Sequence, residues 1–440
     1  GSRLNDVVYF NPADTAYPLG FNPLEVTNPN QKTNISSEVI GVLKRMFGDS
    51  WGPRLEYILR YTILALLDRP ETTMLDITRM LTDKNFRKET LGYCRDTVVL
   101  QFWNVEFASW NDKFVAEAVA PVLNKVGAFT ANPIIRNIIG QPKSTFNIRQ
   151  IMDEGRILIV NLSKGLIGED NAAILGSFLV TKIQLAAMSR SDIPDIRDRR
   201  PFYLYVDEFQ NFATDSFATI LSEARKYGLN LTVANQYISQ MNETVRDAVF
   251  GNVGTMISFR VSADDAPILA KQFEPNFEAV DLLQMHNRNF VINMVIGGEK
   301  TPAFSARTLE LPPSQADNTP HIIEHSRRMY SRSREDVERG ITAAIMPNHR
   351  PKNQPAQPRP QAVAAAALAQ PVKKSASQPA QKTNSAANAQ PATPQTATNS
   401  GEVILQIRGN NTLDKPADST NPAATTTPKK RRRRRKKSTA

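Results

Sequence analysis

Two adjacent carboxylates, Asp207 and Glu208, follow directly on the apolar run Phe202-Tyr203-Leu204-Tyr205-Val206. A run this short, rich in β-formers and without polar alternation, predicts a strand buried on both faces. Both faces are covered where a parallel sheet carries helices on each side. Ligands of such sheets bind beyond the carboxyl ends of the strands, which is where Asp207 and Glu208 fall. In a phosphoryl-transfer ATPase the first acid would hold Mg²⁺ through its water shell, and the second would orient and polarise the attacking water. For the pair alone, the competing reading is a strand that ends in a solvated acidic turn.

Neighbouring segments add to the pair. Leu229-Asn230-Leu231-Thr232-Val233-Ala234 is a second strand-type run and ends in Asn235-Gln236. A glutamine placed there can donate to a γ-phosphate oxygen and accept from the lytic water. A third run, residues 156–162, ends in Ser163-Lys164-Gly165, so three strand ends are expected to converge on one edge. Arg225 lies one turn before the end of the intervening helix. Its guanidinium suits a second subunit's γ-phosphate as an arginine finger in trans, or simply a helix C-terminus favoured by the dipole. Arg260, one residue before the end of the run 254–261, is a second candidate.

The elements that must position these residues alternate strand and helix from Gly155 onward, which implies right-handed crossovers in one parallel sheet. Residues 7–10 form a further strand. Between them, from about residue 36 to 129, apolar residues recur at helical spacing without a strand-type run, for example Val39, Val42, Leu43 and Met46. This stretch reads as an all-α subdomain whose aromatics (Trp103, Phe107, Trp110, Phe114) are core rather than a base-stacking platform. Residues 290–296 and 303–309 flank Gly297-Gly298-Glu299-Lys300 as a closing hairpin. One polar helix is expected from Thr319-Pro320 to about Ile345.

Composition sets the outer limits. The 440 residues leave room for two or three domains. The single cysteine, Cys94, excludes a disulfide framework and any multi-cysteine metal site, and the four histidines lack metal spacing. No signal peptide or membrane span is read, and the first residue is Gly. The net charge of +11 is unevenly placed: residues 351–440 hold 16 Lys+Arg against 3 Asp+Glu, and the first 350 hold 38 against 40. Beyond residue 347 there is no Phe, Tyr or Trp, so that segment cannot bury enough apolar surface to offset ordering and is expected to be disordered. It carries an amphipathic patch at 401–408 and nine consecutive cations at 429–437, suited to sequence-independent contact with DNA phosphates or to an anionic membrane surface.

The segments Tyr203-Leu204-Tyr205-Val206-Asp207-Glu208-Phe209-Gln210-Asn211-Phe212, Leu221-Ser222-Glu223-Ala224-Arg225-Lys226-Tyr227-Gly228-Leu229 and Ala234-Asn235-Gln236-Tyr237 resemble the type IV secretion coupling proteins. Those are conjugative DNA-transfer ATPases of the FtsK–HerA class. The resemblance extends to Gly251-Asn252-Val253-Gly254-Thr255, Phe259-Arg260, Asp265-Ala266 and Pro18-Leu19-Gly20-Phe21-Asn22-Pro23-Leu24, and covers roughly residues 3–345. It implies an α/β, RecA-like motor split by an all-α insertion; with the tail read from composition, the expected division is motor residues 1–30 and 136–310, insertion 31–135, helical extension 311–346 and disordered tail 347–440. It implies ATP and Mg²⁺ as cofactors, with Asp207 on the metal side, Glu208 catalytic, Gln236 the γ-phosphate sensor and Arg225 the intersubunit arginine. It also implies a homo-oligomer, a hexameric ring, that passes DNA to type IV secretion channel components from the cytoplasmic side of a bacterial cell membrane.

One departure is large. No GxxxxGK[ST] phosphate loop is present. Gly140-Gln141-Pro142-Lys143-Ser144-Thr145 mimics its end, but Asn137 and Pro142 stand where glycines are needed, and proline has no N–H to offer a phosphate. In the family that loop lies ahead of the position where this chain begins, so the sequence is expected to be the C-terminal part of a longer motor and to be inactive alone. The competing readings are a motor that moves protein rather than DNA, and a non-catalytic DNA-binding or scaffold protein that keeps the ATPase fold. A DExx helicase is a weaker third, since residues 311–440 offer no second RecA-like domain.

Overall fold

Each apolar run forms a strand, and the strands pair in groups of two or three. The computed structural model describes residues 3–214, 216–314 and 316–346. The 401–408 patch and the 429–437 run therefore lie outside the described residues. Strand β1 (Val7–Phe10) pairs in parallel with β2 (Ile157–Val160), Val8 opposite Leu158. Strand β3 (Phe202–Val206) pairs in parallel with β4 (Leu229–Val233), Val206 opposite Val233. Strand β5 (Met256–Ser258) and β9 (Phe304–Arg307) flank β6 (Asn289–Asn293) antiparallel, and β7 (Val295–Ile296) with β8 (Glu299–Lys300) makes a small hairpin around Gly297-Gly298. The one continuous parallel sheet expected from the repeats is instead resolved, among the described residues, into separate short ladders.

The helical stretch contains α1 (Lys32–Phe47), α2 (Pro53–Asp68), α3 (Asp76–Thr82), α4 (Lys84–Leu91), α5 (Thr97–Gln101), the π-helical Phe102–Phe107, α6 (Asp112–Thr130) and α7 (Pro133–Ile139). Trp103 and Phe107 are buried there, as core aromatics should be, while Trp110 and Phe114 are partly buried and pack against the same core. Cys94 is buried as well, with Sγ 3.7 Å from Ala65 O, and burial pushes its thiol up to about 12. A thiol so protonated is a poor nucleophile. Iodoacetamide should leave native Cys94 unmodified and label it fully in denaturant; rapid native labelling would contradict this environment.

The chain enters and leaves the helical stretch through two crossings that lie side by side. Phe21 N donates to Ile138 O (3.0 Å), Thr145 N to Gly20 O (2.9 Å) and Asn22 N to Ser144 Oγ (3.0 Å). Asn22 Nδ2 reaches both Thr72 O and Pro142 O at 2.8 Å. A Cβ on Gly20 would stand 2.9 Å from Lys143 O, so the approach requires glycine. The polar groups of 140–145 are thus spent on joining two chain segments.

After α8 (Ile148–Glu154), β2 and the short α9 (Lys164–Ile167), α10 (Glu169–Ser189) runs through the centre and packs on α1 and α8. By length and composition it could cross a membrane, a candidate the sequence reading passed over, but 72% of its apolar window is buried inside the protein, as in a core helix. Helices α11 (Ser216–Glu223), α12 (Glu243–Asn252), α13 (Ala266–Phe273) and α14 (Ala279–Leu283) follow. The single polar helix expected over 319–345 is two, α15 (Thr319–Tyr330) and α16 (Arg334–Ile345), because Ser333 caps the second through Asp336 N. Helix α15 covers the outer edge of β1: Ser326 Oγ accepts from Tyr9 N at 3.0 Å, and Arg327 pairs with Asp14 at 2.7 Å.

The two-sided burial expected of β3 is also corrected. Phe202, Leu204 and Val206 face the core, whereas Tyr203 and Tyr205 are 62% and 72% exposed. Tyrosine is a strong β-former with a polar tip, so an uninterrupted run hid a true alternation.

Candidate functional site

The carboxyl ends of β3 and β4 carry the acidic pair and the glutamine side by side. Ala234 N donates to Val206 O (2.9 Å) and Phe209 N to Ala234 O (2.8 Å), so the ladder continues past the strands and fixes Glu208 against Gln236. Gln236 Nε2 donates to Glu208 Oε1 at 2.5 Å, and Gln210 Nε2 donates to Glu208 Oε2 at 2.6 Å. Each carboxylate oxygen therefore accepts one amide. Asp207 is exposed, and its Oδ1 accepts from Glu208 N at 3.0 Å, which leaves Oδ2 open to solvent.

Glu208 sits at φ 51° and ψ 43°, in the left-handed region. For a non-glycine residue this costs on the order of 1–3 kcal/mol, so the surroundings must enforce it. Phe209 beside it is fully buried against Phe217, ring centroids 4.6 Å apart. Arg45, at the end of α1, donates to the carbonyls of Gln210 and Ala213 and pins the turn from the opposite side. Helix α10 supplies the floor. A Cβ on Gly176 would lie 2.3 Å from the Phe212 ring and 3.0 Å from Leu162 Cδ1, so the ends of β2 and β3 both close on this glycine.

The other sequence candidates fall differently. Arg225 lies on a 3-10 turn, Ala224–Tyr227, that precedes β4 rather than within the helix. That places it at the amino edge of a five-residue strand, about 16 Å of chain from the Gln236 end, and the same subunit does not bring it to Glu208. Its side chain is exposed, with no hydrogen bond or ion pair among the described residues. Arg260 is exposed too, but it follows β5 at the edge shared with Gln236: buried Asp265 accepts from Ile238 N (3.2 Å) and Ser239 N (3.3 Å), which ties the loop after β5 to the loop after β4. Lys164 of the third strand end pairs outward with Glu169 at 2.9 Å.

Gln210, Arg45 and Asp265 are the residues that reasoning on the sequence passed over as site groups. Gln210 was visible two residues beyond Glu208. Nothing local marked Arg45, which acts across 165 positions.

An acidic pair and a glutamine at the carboxyl edge of parallel strands, backed by helices, is the arrangement of a RecA-like α/β domain. Residues 201–272 match the family model described as the TraM recognition site of TraD and TraG. Among solved structures, the bacterial conjugative coupling protein TrwBdeltaN70 is similar in fold. Its trigonal form in complex with sulphate gives a TM-score of 0.50 at 14% identity, covering 69% of this chain and 74% of that one. Its unbound monoclinic form gives 0.49 at 13%, covering 70% and 74%. No curated protein matches the sequence. The family match covers residues 201–272 of the chain, and the likeness to the coupling protein, at 14% identity, is one of fold.

Proposed function

We propose that this chain forms the hydrolytic half of an ATP-driven motor that couples DNA, or a nucleoprotein, to a conjugation or type IV secretion channel. The observation that carries the reading is Glu208, held in a left-handed turn with one amide on each oxygen, beside an exposed Asp207. Glu208 so oriented can accept a proton from an attacking water, and Gln236 can report the γ-phosphate to it. Asp207 offers one uncommitted carboxylate oxygen, which fits Mg²⁺ binding of the kind that takes its other ligands from water and phosphate. Bound Mg²⁺ would supply charge neutralisation at the phosphates.

Arg225, exposed at the far edge, fits a finger for the next subunit of a ring. The family segment at 201–272 favours docking of a TraM-like partner on the same region. In this reading the basic run 429–437 holds DNA without sequence preference or meets anionic lipid, at the inner face of the cell membrane.

The test is ATP turnover by the assembled longer motor that carries the phosphate loop. Gln236→Ala should lower it by about 10–100-fold with little change in folding. Arg225→Ala should abolish it in uniform rings, and mixing with Glu208→Gln subunits should restore part of it at interfaces where an intact arginine faces an intact acid. Verified mixed rings without rescue would return Arg225 to helix capping, and wild-type turnover by Gln236→Ala would remove the sensor role.

A further inference from the structure

A cavity of about 560 Å³ lies away from the Glu208 turn, where the two chain crossings meet α10 and the end of α15. Its walls come from residues 25–31, from 144–151, from Lys182, Leu185 and Ala186 of α10, and from Tyr330. The size is that of a pocket for a small organic molecule. About half of the wall is apolar, with Phe21, Phe146 and Ile148 among the contributors.

The cations on this wall are not equivalent. Arg149 is fully engaged: Nε to Asp153 at 2.5 Å, Nη2 to Asp192 at 2.8 Å, and Nη1 to Ser189 at 3.0 Å. Arg156 pairs with Glu154 at 2.5 Å and donates to Tyr330 Oη at 3.0 Å. Lys182 is different. Its Nζ makes one hydrogen bond, 2.8 Å to the main-chain carbonyl of Glu25, and no ion pair among the described residues. The Glu25 carboxylate is turned to Ser144 N at 3.1 Å. An ammonium has three donors, so two of them have no protein acceptor. Burial holds this ammonium down to about 8, against the weaker opposing pull of the nearby Glu25 carboxylate, which makes no ion pair with it. The Ser144 hydroxyl and the Tyr330 hydroxyl add donors to the same space.

We propose that this cavity binds a small organic anion, a carboxylate or phosphate ester on an aromatic or aliphatic body, with the anionic group on Lys182 and the body against Phe21 and Phe146. Because both crossings line the cavity, an occupant bridges the helical stretch to the strands and stabilises their junction. Binding here is independent of the Glu208 turn.

The experiment is titration of the full chain with phenyl phosphate, benzoate and inorganic phosphate, with benzyl alcohol as the neutral control, followed by calorimetry and thermal midpoint. Saturable binding of an aromatic anion is expected, with a raised midpoint and no response to benzyl alcohol. Preference between phenyl phosphate and benzoate tells phosphate ester from carboxylate, and inorganic phosphate reads the contribution of the body. Lys182→Met should weaken binding at least about tenfold. Ala186→Phe keeps the lysine and fills the space, so it should abolish binding even if the lysine variant folds poorly. Glu208→Gln should leave binding unchanged. The proposal is overturned if no anion binds up to about 10 mM, if Ala186→Phe binds like wild type, or if a well-folded Lys182→Met does.

Discussion

In the longer motor that carries the phosphate loop, Glu208→Gln is expected to reduce ATP turnover by about 10²–10⁴-fold while nucleotide binding and folding persist. The substitution removes the proton acceptor and keeps the shape. Its hydrogen bonding can also be rebalanced locally. In the wild type, Glu208 accepts from Gln236 and from Gln210. A glutamine at 208 keeps one acceptor and presents an NH₂ where the second stood. Gln210 Oε1 is buried with no partner among the described residues, so rotating that amide provides the acceptor the new NH₂ needs. Stability should therefore change by no more than about 1 kcal/mol. Single-turnover hydrolysis alongside equilibrium binding of a non-hydrolysable analogue separates the two effects. Turnover within threefold of wild type would remove Glu208 from the chemistry.

Arg190→Leu should be the most damaging single change to folding, on the order of 3 kcal/mol or more. Arg190 is fully buried at the end of α10. Its Nη1 donates to Tyr227 O at 3.0 Å and Nη2 to Arg200 O at 2.5 Å, so it ties α10 to the segments that lead into β3 and β4. Its Nε stands 3.1 Å from Asp153 Oδ1, although the N–H does not point at the oxygen. Leucine leaves two part-buried carbonyls without their donors. Asp153 keeps a partner in Arg149 at 2.5 Å, which places the expected loss at the lower end of the range for a broken buried pair. Chemical denaturation reads the result directly. An unchanged midpoint would show that water or a neighbouring arginine replaces the donors.

Strands were legible from the sequence because short apolar runs bounded by turn residues have few other outcomes: 7–10, 157–160, 202–206 and 229–233 all form. The order of strands fixed which end of β3 and β4 carries chemistry, so Asp207, Glu208 and Gln236 were found together. What could not be read was long-range. Tyr203 and Tyr205 count as apolar in a run, yet their exposure depends on what packs above them. Arg45 looks like any cation in a last helical turn, and only the fold brings it to Gln210. Arg225 was expected on the helix leading into β4 and lies on a 3-10 turn there instead, because the two differ by a single hydrogen-bond step.

The adjacency of Phe21 with Ile138 and of Gly20 with Thr145 has a consequence for how such chains diversify. A segment whose two ends touch adds almost nothing to the closure entropy of the strands it interrupts, because doubling its length costs only about 0.6 kcal/mol. Over a hundred residues can therefore be lengthened, shortened or replaced at that doorway without moving a strand, provided Gly20 and Asn22 keep it shut. Sequence change should accumulate inside the excursion and stop sharply at its threshold.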